Sequence, residues 1–285
     1  MNLQLSSGNF IPLVGLGTFQ IKNPEDVKRS LNCALSCGYR LIDTAAVYKN
    51  EQLIGDCLPS LLAEHKLTRD DVFITTKLGP KDMSRDKVSR AFEESLTKLG
   101  VGHIDLYLIH WPGRQGTQGS DERNKIYRRE VWTALEEIYL KTQKIKSLGV
   151  SNFTLRHLEE LSDYCKVMPA VVQNEHHPDF QDIEVVEFCK KCDIHLQAYS
   201  SLGQSKLVAD ERYKSIAWKY DKTVSQILLR WSLQNSRSVI PKSVQPAHIR
   251  ENISLFDFEI SESDMKLISD LGKSTKYAWD PDHVS

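Results

Sequence analysis

Asp43, Lys77 and His110 each close a run of apolar residues, and Tyr48 follows Asp43 after four intervening residues. A tyrosine hydroxyl is a poor proton donor at neutral pH because its free pKa is about 10. A neighbouring ammonium would stabilise the phenolate and lower that pKa, and a carboxylate would keep a buried lysine charged. A histidine opposite could donate a hydrogen bond to a carbonyl oxygen as it gains charge. Together the four residue types predict an acid catalyst acting on a carbonyl group.

Each of these residues alone also fits a structural role. Asp43 and Lys77, taken by themselves, are more simply explained as a structural ion pair. Tyr48 could be an aromatic residue packed at the start of a helix, and His110 a buried histidine with satisfied hydrogen bonds. The catalytic interpretation therefore depends on an architecture that brings all four side chains together.

Eight short apolar runs alternate with longer amphipathic stretches, which predicts parallel strands covered by helices on both faces. The predicted strands are Val14–Thr18, Tyr39–Asp43, Val72–Lys77, Ile104–His110, Lys146–Val150, Ala170–Gln173, Ile194–Tyr199 and Ser238–Pro241. Eight strands in one undivided chain favour a closed (β/α)8 TIM barrel, an α/β fold, in a single domain over residues 1–285. The C-terminal strand ends of such a barrel meet at one rim, where active sites lie.

Three segments fall outside the eightfold repeat. Leu3–Leu13 has Ser-Ser-Gly-Asn between two short extended runs and predicts an N-terminal β-hairpin that caps the lower mouth of the barrel. Thr223–Gln234 and Glu262–Leu271 are predicted as two extra helices.

Composition narrows the function classes. The 37 Lys and Arg residues against 38 Asp and Glu give a net charge of −1, which argues against nucleic-acid binding and membrane-surface binding. No apolar run approaches the roughly 18 residues that span a bilayer, and the N-terminus does not resemble a signal peptide. Six cysteines are too few for a disulfide scaffold. We therefore expect a cytoplasmic protein with free thiols and no membrane partner.

Several ordered motifs resemble those of the aldo-keto reductases, from near residue 3 to near residue 282. They are Gly15–Thr18, Leu41–Ala45, Tyr48–Glu51, the segment at Lys77, Leu106–Pro112, Gly149–Phe153 and Ile240–Ser243. The resemblance implies a (β/α)8 barrel that reduces aldehydes and ketones to alcohols with NADPH. It implies hydride transfer from the nicotinamide, proton transfer from Tyr48, and a catalytic set of Asp43, Tyr48, Lys77 and His110.

The same resemblance implies a set of cofactor contacts along the rim. Tyr199 would stack on the nicotinamide, and its carboxamide would be held by Ser151, Asn152 and Gln173. The pyrophosphate would pass Ser200, Leu202 and Gly203. The adenosine end would meet Lys242, Ser243, Val244, His248, Glu251 and Asn252, and the remaining expected contacts are Gly17, Thr18 and Asp43.

His248 stands where many family members carry an arginine that meets the 2′-phosphate. Lys242 and Ser243 still suit a phosphate dianion, so NADPH is the expected cofactor, with NADH as a weaker alternative.

The expected substrate pocket combines Tyr48 and His110 with Phe19, Val47 and Trp111. Phe19 and Gly79 replace bulkier aromatic residues common in the family, which suggests a roomy site for small to medium aldehydes and ketones. Trp279 could reach this pocket or pack on the outside of the barrel. The resemblance also favours a monomer.

Two other functions are alternatives to that of a carbonyl reductase. A catalytically silent barrel could serve as a structural or binding subunit, although four intact catalytic positions argue against the loss of catalysis. A metal-dependent hydrolase would need several carboxylates or histidines at the strand ends, where a lysine and a tyrosine fill two places. We therefore predict no metal site.

Overall fold

The computed structural model covers residues 1–285 and has a parallel sheet of eight strands that follow one another in chain order. The eight strands are β3 (Leu16–Gly17), β4 (Leu41–Asp43), β5 (Phe73–Leu78), β6 (Leu106–Ile109), β7 (Leu148–Ser151), β8 (Val171–Glu175), β9 (His195–Tyr199) and β10 (Ser238–Val239). Each overlaps one predicted strand.

The sheet closes on itself between its first and last strands. Parallel bridges join Val14 to Val239 and Gly17 to Lys242, and the Gly15 N–H donates to the Val239 carbonyl at 2.8 Å. The predicted (β/α)8 barrel is therefore confirmed. Strand β3 is shorter than predicted because its flanking residues pair through these isolated bridges and not through a continuous ladder.

Ten α-helices surround the barrel, two more than the eightfold repeat requires. They are α1 (Pro24–Ser36), α2 (Glu51–Glu64), α3 (Arg85–Leu99), α4 (Arg123–Thr142), α5 (Leu155–Ser162), α6 (Ile183–Lys191), α7 (Glu211–Lys219), α8 (Val224–Gln234), α9 (Pro246–Ile253) and α10 (Glu262–Asp270). The predicted number of extra helices is confirmed. However, α8, which was predicted as an extra helix over Thr223–Gln234, packs against β10 and so belongs to the repeat. The extra helix between β9 and β10 is therefore α7, which packs on α8.

The predicted N-terminal hairpin is present as β1 (Asn2–Gln4) and β2 (Phe10–Pro12), paired antiparallel. Leu5 and Ile11 are buried in one apolar cluster with residues from the N-terminal ends of the barrel strands. The Asn9 side-chain amide donates to the Lys146 carbonyl at 2.6 Å. The hairpin thus covers the mouth opposite the rim that carries the chemistry.

Apolar side chains fill the layer between the sheet and the helices. One cluster lies under α3 and α4 and another under α1 and α2. None of the helices has the length and apolarity that crossing a bilayer requires.

Gly149 gives a test of how tightly β7 is packed within the barrel. A Cβ at this position would lie 2.4 Å from the Val171 carbonyl oxygen and 2.6 Å from Leu108 Cδ2. Gly149→Ala should therefore lower the free energy of unfolding by about 1–3 kcal/mol, because the neighbouring strand must shift. Urea unfolding followed by circular dichroism measures the change. Gly102→Ala is the control, since its Cβ would meet nothing within 4 Å; equal stability of the two variants would contradict the packing argument.

Candidate active site

The four predicted catalytic residues come from three neighbouring strands and the loops that follow them. Asp43 is the last residue of β4, and Tyr48 ends a short 3-10 helix, Ala46–Tyr48, in the loop after it. Lys77 lies one residue before the end of β5, and His110 directly follows β6. Because β4, β5 and β6 are adjacent and parallel, all four side chains reach the same rim.

Lys77 and Asp43 form an ion pair with almost no exposure to solvent. Lys77 Nζ donates to Asp43 Oδ1 at 2.7 Å and to the Thr44 carbonyl at 2.8 Å, and its side chain is 0% exposed. Asp43 Oδ2 accepts a hydrogen bond from Gln173 Nε2 at 2.8 Å. Burial lowers the pKa of Lys77, while the charge of Asp43 opposes that shift. The carboxylate is thus the group that favours the charged form of the lysine.

Tyr48 lies beside the ammonium group. Lys77 Nζ is 3.4 Å from Tyr48 Oη and 5.0 Å from the ring centroid. Burial raises the pKa of Tyr48 well above 10, and the charges of Asp43 and Tyr199 act in the same direction. The lowering effect of Lys77 on this pKa stays a prediction, while burial, the largest cause, gives the net direction in this structure. Tyr48 keeps its proton at neutral pH.

His110 faces Tyr48 and is held neutral. The two rings meet edge to face with centroids 5.5 Å apart. Burial lowers the pKa of His110 well below 6.5, and Lys77 adds to the effect by charge repulsion. Nδ1 of the ring is buried without a hydrogen-bond partner. A neutral imidazole retains one N–H and can donate it to a substrate oxygen without bringing a second positive charge into the site.

A cavity of about 460 Å³ opens in front of Tyr48 and His110. The predicted lining residues Phe19, Val47 and Trp111 all border it. Trp279 borders it as well, with its ring centroid 5.7 Å from that of Phe19. Of the two positions considered for this tryptophan, the structure shows the one at the pocket.

The expectation of a roomier site at Gly79 is met only in part. A Cβ at Gly79 would lie 3.0 Å from Val47 Cγ1. Val47 therefore borders the space that a larger side chain at residue 79 would need.

Sequence reasoning missed two segments of the cavity wall. One is the loop between β6 and α4, and the other is the end of the chain. The missed residues of the loop are Gly113, Arg114, Gln115, Gly116, Thr117 and Gly119, and those at the end of the chain are His283 and Val284; Pro80 and Asn124 also border the cavity and were missed. The length of the loop after His110 was the available signal, since loops at this face of a barrel build the site.

The expected nicotinamide residues adjoin the catalytic group and are linked to it. Asn152 Nδ2 donates to the His110 carbonyl at 2.8 Å, and its Oδ1 accepts from the Tyr199 hydroxyl at 2.6 Å. Ser151 ends β7 and contacts the same amide at 3.2 Å. Gln173 Nε2 donates to both Asp43 and Gln197, each at 2.8 Å. The group lies on three adjacent strands, β7, β8 and β9.

The expected phosphate-end residues lie at the ends of β9 and β10 and on α9. Lys242 and His248 are exposed, Ser243 is nearly buried, and the Gln245 N–H donates to Ser243 Oγ at 3.1 Å. No ion pair engages Lys242, so an ammonium and a hydroxyl stand together without a carboxylate partner. That donor set suits a phosphate dianion. The rest of this group comprises Ser200 and Gly203, both with left-handed backbones, and Leu202, Val244, Glu251 and Asn252.

Gly17 and Thr18 have structural partners in the barrel. Thr18 Oγ1 donates to the Asp43 carbonyl at 2.8 Å. A Cβ at Gly17 would lie 2.5 Å from the Ile240 carbonyl oxygen. These contacts place both residues beside Asp43 and β10, and their contact with a cofactor stays a prediction.

Comparison with known proteins matches residues 13–273 to the model of the aldo/keto reductase family. A glyoxal reductase of Bacillus subtilis is 39% identical over 282 residues, covering 99% of this chain and 96% of the relative. Aldose reductase C of Dictyostelium discoideum is 36% identical over 291 residues, covering 96% of this chain and 90% of the relative.

Solved structures agree with these sequence matches. An aldo-keto reductase from a deep-sea metagenome library superposes with a TM-score of 0.90 at 36% identity, covering 99% of each chain. A Bombyx mori aldo-keto reductase in complex with NADP superposes with a TM-score of 0.88 at 32% identity, covering 98% of this chain and 94% of that one. This chain belongs to the aldo/keto reductase family and is an oxidoreductase that reduces carbonyl compounds with NADPH.

Proposed function

We propose that Tyr48 is the proton donor of this reductase and that His110, Lys77 and Asp43 support it. The observation that carries the proposal is the position of Lys77 Nζ, 2.7 Å from a buried carboxylate and 3.4 Å from the Tyr48 hydroxyl. A neutral His110 stands across the same cavity.

In this mechanism NADPH, when bound, supplies the hydride that reaches the carbonyl carbon. The substrate oxygen lies between the Tyr48 hydroxyl and the imidazole N–H of His110. As negative charge develops on that oxygen, it becomes a much stronger base than a phenolate and takes the Tyr48 proton. Lys77 stabilises the phenolate that forms, and Asp43 holds the ammonium in place. A raised tyrosine pKa in the resting enzyme is compatible with this role because it keeps the proton on Tyr48 until the substrate oxygen needs it.

We further propose that the strand-end residues hold the cofactor. Tyr199 would stack on the nicotinamide, with Ser151 and Asn152 beside its carboxamide. Gln173 uses its Nε2 for Asp43 and Gln197, which leaves its amide oxygen to accept from the carboxamide nitrogen. The phosphates would lie along Ser200, Leu202 and Gly203, with the 2′-phosphate at Lys242, Ser243 and His248. Val244, Glu251 and Asn252 would contact the adenosine, and Gly17 and Thr18 would border the site.

The proposed substrates are small to medium aldehydes and ketones. A cavity of about 460 Å³ supports this size class, as do relatives described as glyoxal and aldose reductases. We also propose a cytoplasmic monomer in which residues 1–285 form one domain. A panel of aldehydes and ketones, assayed by loss of NADPH absorbance and repeated with NADH, tests the substrate class and the cofactor preference together.

Tyr48→Phe should lower the turnover number by about 10²–10⁴-fold, because it removes the proton donor and leaves the cavity shape nearly unchanged. NADPH affinity, measured by fluorescence titration, should stay within about twofold of the wild type. Tyr107→Phe is the matched control, since this buried phenol lies outside the cavity wall. A Tyr48→Phe enzyme that keeps most of its rate would show that the proton comes from elsewhere.

The buried ion pair has separate effects on stability and on catalysis. Lys77→Met should lower the free energy of unfolding by about 3–5 kcal/mol, because it leaves Asp43 charged and unpaired. The double variant Asp43→Asn/Lys77→Met should recover much of that loss, since neither partner then carries charge. Both variants should lack carbonyl reductase activity. Urea unfolding and single-turnover assays measure the two quantities; recovery of activity along with stability would mean that the pair is structural.

The pKa shifts at the site predict a flat pH profile for reduction. His110 must stay neutral, and because its pKa is lowered, the imidazole remains neutral even when the pH falls somewhat below 6.5. Tyr48 must stay protonated, and because its pKa is raised, the hydroxyl remains protonated even when the pH rises above 9. Lys77 must stay charged, and the carboxylate of Asp43 opposes the lowering of its pKa by burial. The single-turnover rate at saturating NADPH and aldehyde should therefore be constant from about pH 6 to about pH 9. An ionisation within that range that alters the rate would contradict these protonation states.

A further inference from the structure

One residue with a permanent positive charge lines the substrate cavity. Arg114, in the loop after β6, is half-buried in the wall, and none of the cavity-lining residues is an aspartate or a glutamate. The other titratable groups in this wall are Tyr48, His110 and His283. Burial keeps His110 neutral. Arg114 is therefore the one permanently charged residue among those that line the cavity.

The position of Arg114 is set by stacking and not by an ion pair. Its guanidinium carbon lies 4.7 Å from the centroid of the Tyr127 ring on α4. Its backbone N–H donates to Asn124 Oδ1 at 3.1 Å, and Asn124 Nδ2 donates in turn to the Gln118 and Gly119 carbonyls. These bonds fix the loop against the start of α4. The guanidinium N–H donors have no hydrogen-bond partner in the chain.

The nearest carboxylates are engaged elsewhere or lie outside the wall. Asp121, at the end of the same loop, is bound by its neighbour Arg123 at 2.6 Å. Ser84 and, to a smaller extent, Arg114 lower the pKa of Asp86, which is not part of the cavity. Asp282 borders a separate cavity on the other side of Asn152. Arg114 therefore forms no ion pair with a carboxylate of the chain.

We propose that Arg114 selects carbonyl substrates that carry a carboxylate at the end remote from the reacting carbonyl. This inference rests on the proposed function, since it assigns a substrate class to the same cavity. The planar guanidinium fork matches a carboxylate with two parallel hydrogen bonds. A single negative charge balances the single guanidinium, whereas a phosphate dianion would leave one charge unpaired. The aromatic residues Phe19, Trp111 and Trp279 suit the carbon skeleton between the two ends.

The test compares benzaldehydes whose substituents differ in charge and in position. 4-Carboxybenzaldehyde and 3-carboxybenzaldehyde place a carboxylate at two distances, methyl 4-formylbenzoate is the neutral counterpart, and 4-formylphenyl phosphate is the dianion. The wild type should favour one carboxylate isomer over the ester by about tenfold or more in kcat/KM, mainly through a lower KM. Added salt should reduce the preference.

Arg114→Gln should bring that preference close to one, while Arg114→Lys should retain part of it. Arg90→Gln is the matched control, because Arg90 is an exposed residue of α3 that pairs with Glu94 at 3.6 Å, away from the cavity. If the preference for both carboxylate isomers is the same in wild type and Arg114→Gln, the assignment is overturned. A stronger Arg114-dependent preference for the phosphate would overturn the choice of carboxylate. Failure to reduce even the neutral ester would instead count against the proposed function.

Discussion

The ion pair between Lys77 and Asp43 is the interaction on which the rim depends. A lysine ammonium with no exposure to water is stable only when each donor finds an acceptor, and here a carboxylate and the Thr44 carbonyl supply two of them. The carboxylate is in turn bound by Gln173, which bonds Gln197, which bonds Ser238. The chain of contacts runs from β4 across the interior to β8, β9 and β10. The carboxylate of Asp43, which serves the proposed chemistry, thereby also links four strands of the barrel.

The low solvent accessibility of the active site determines the protonation states of its residues. It raises the pKa of Tyr48 and lowers that of His110, so both groups are neutral over the same pH range. The ammonium of Lys77 and the carboxylate of Asp43 cancel at close range. The reacting centre is therefore nearly neutral before substrate arrives, which explains how the charge that develops on a carbonyl oxygen can be met by hydrogen bonds already in place.

The barrel and the four residues at its rim were predictable because strand periodicity and the strand-end rule act on local sequence. The proximity of Asp43, Lys77 and His110 follows from their positions at the ends of adjacent parallel strands. The direction of the Tyr48 pKa shift was not predictable, because the extent of burial is a property of the packed molecule. Arg114 was missed for a related reason: a loop carries no periodic pattern, and its place in the wall depends on stacking with Tyr127 and on bonds to Asn124.

Two segments outside the barrel, the loop after β6 and the end of the chain, supply much of the cavity wall. Tyr277 and Ala278 donate their N–H groups to the buried carboxylate of Glu175, at the end of β8, and Val284 is held by His157 at 2.9 Å. Apart from His110, which directly follows β6, neither segment supplies a member of the proposed catalytic group. Reaction chemistry and substrate choice thus reside in separate parts of the sequence. Such a division lets a lineage, or an engineer, exchange one substrate for another by altering loop residues while the proton-transfer apparatus is inherited intact.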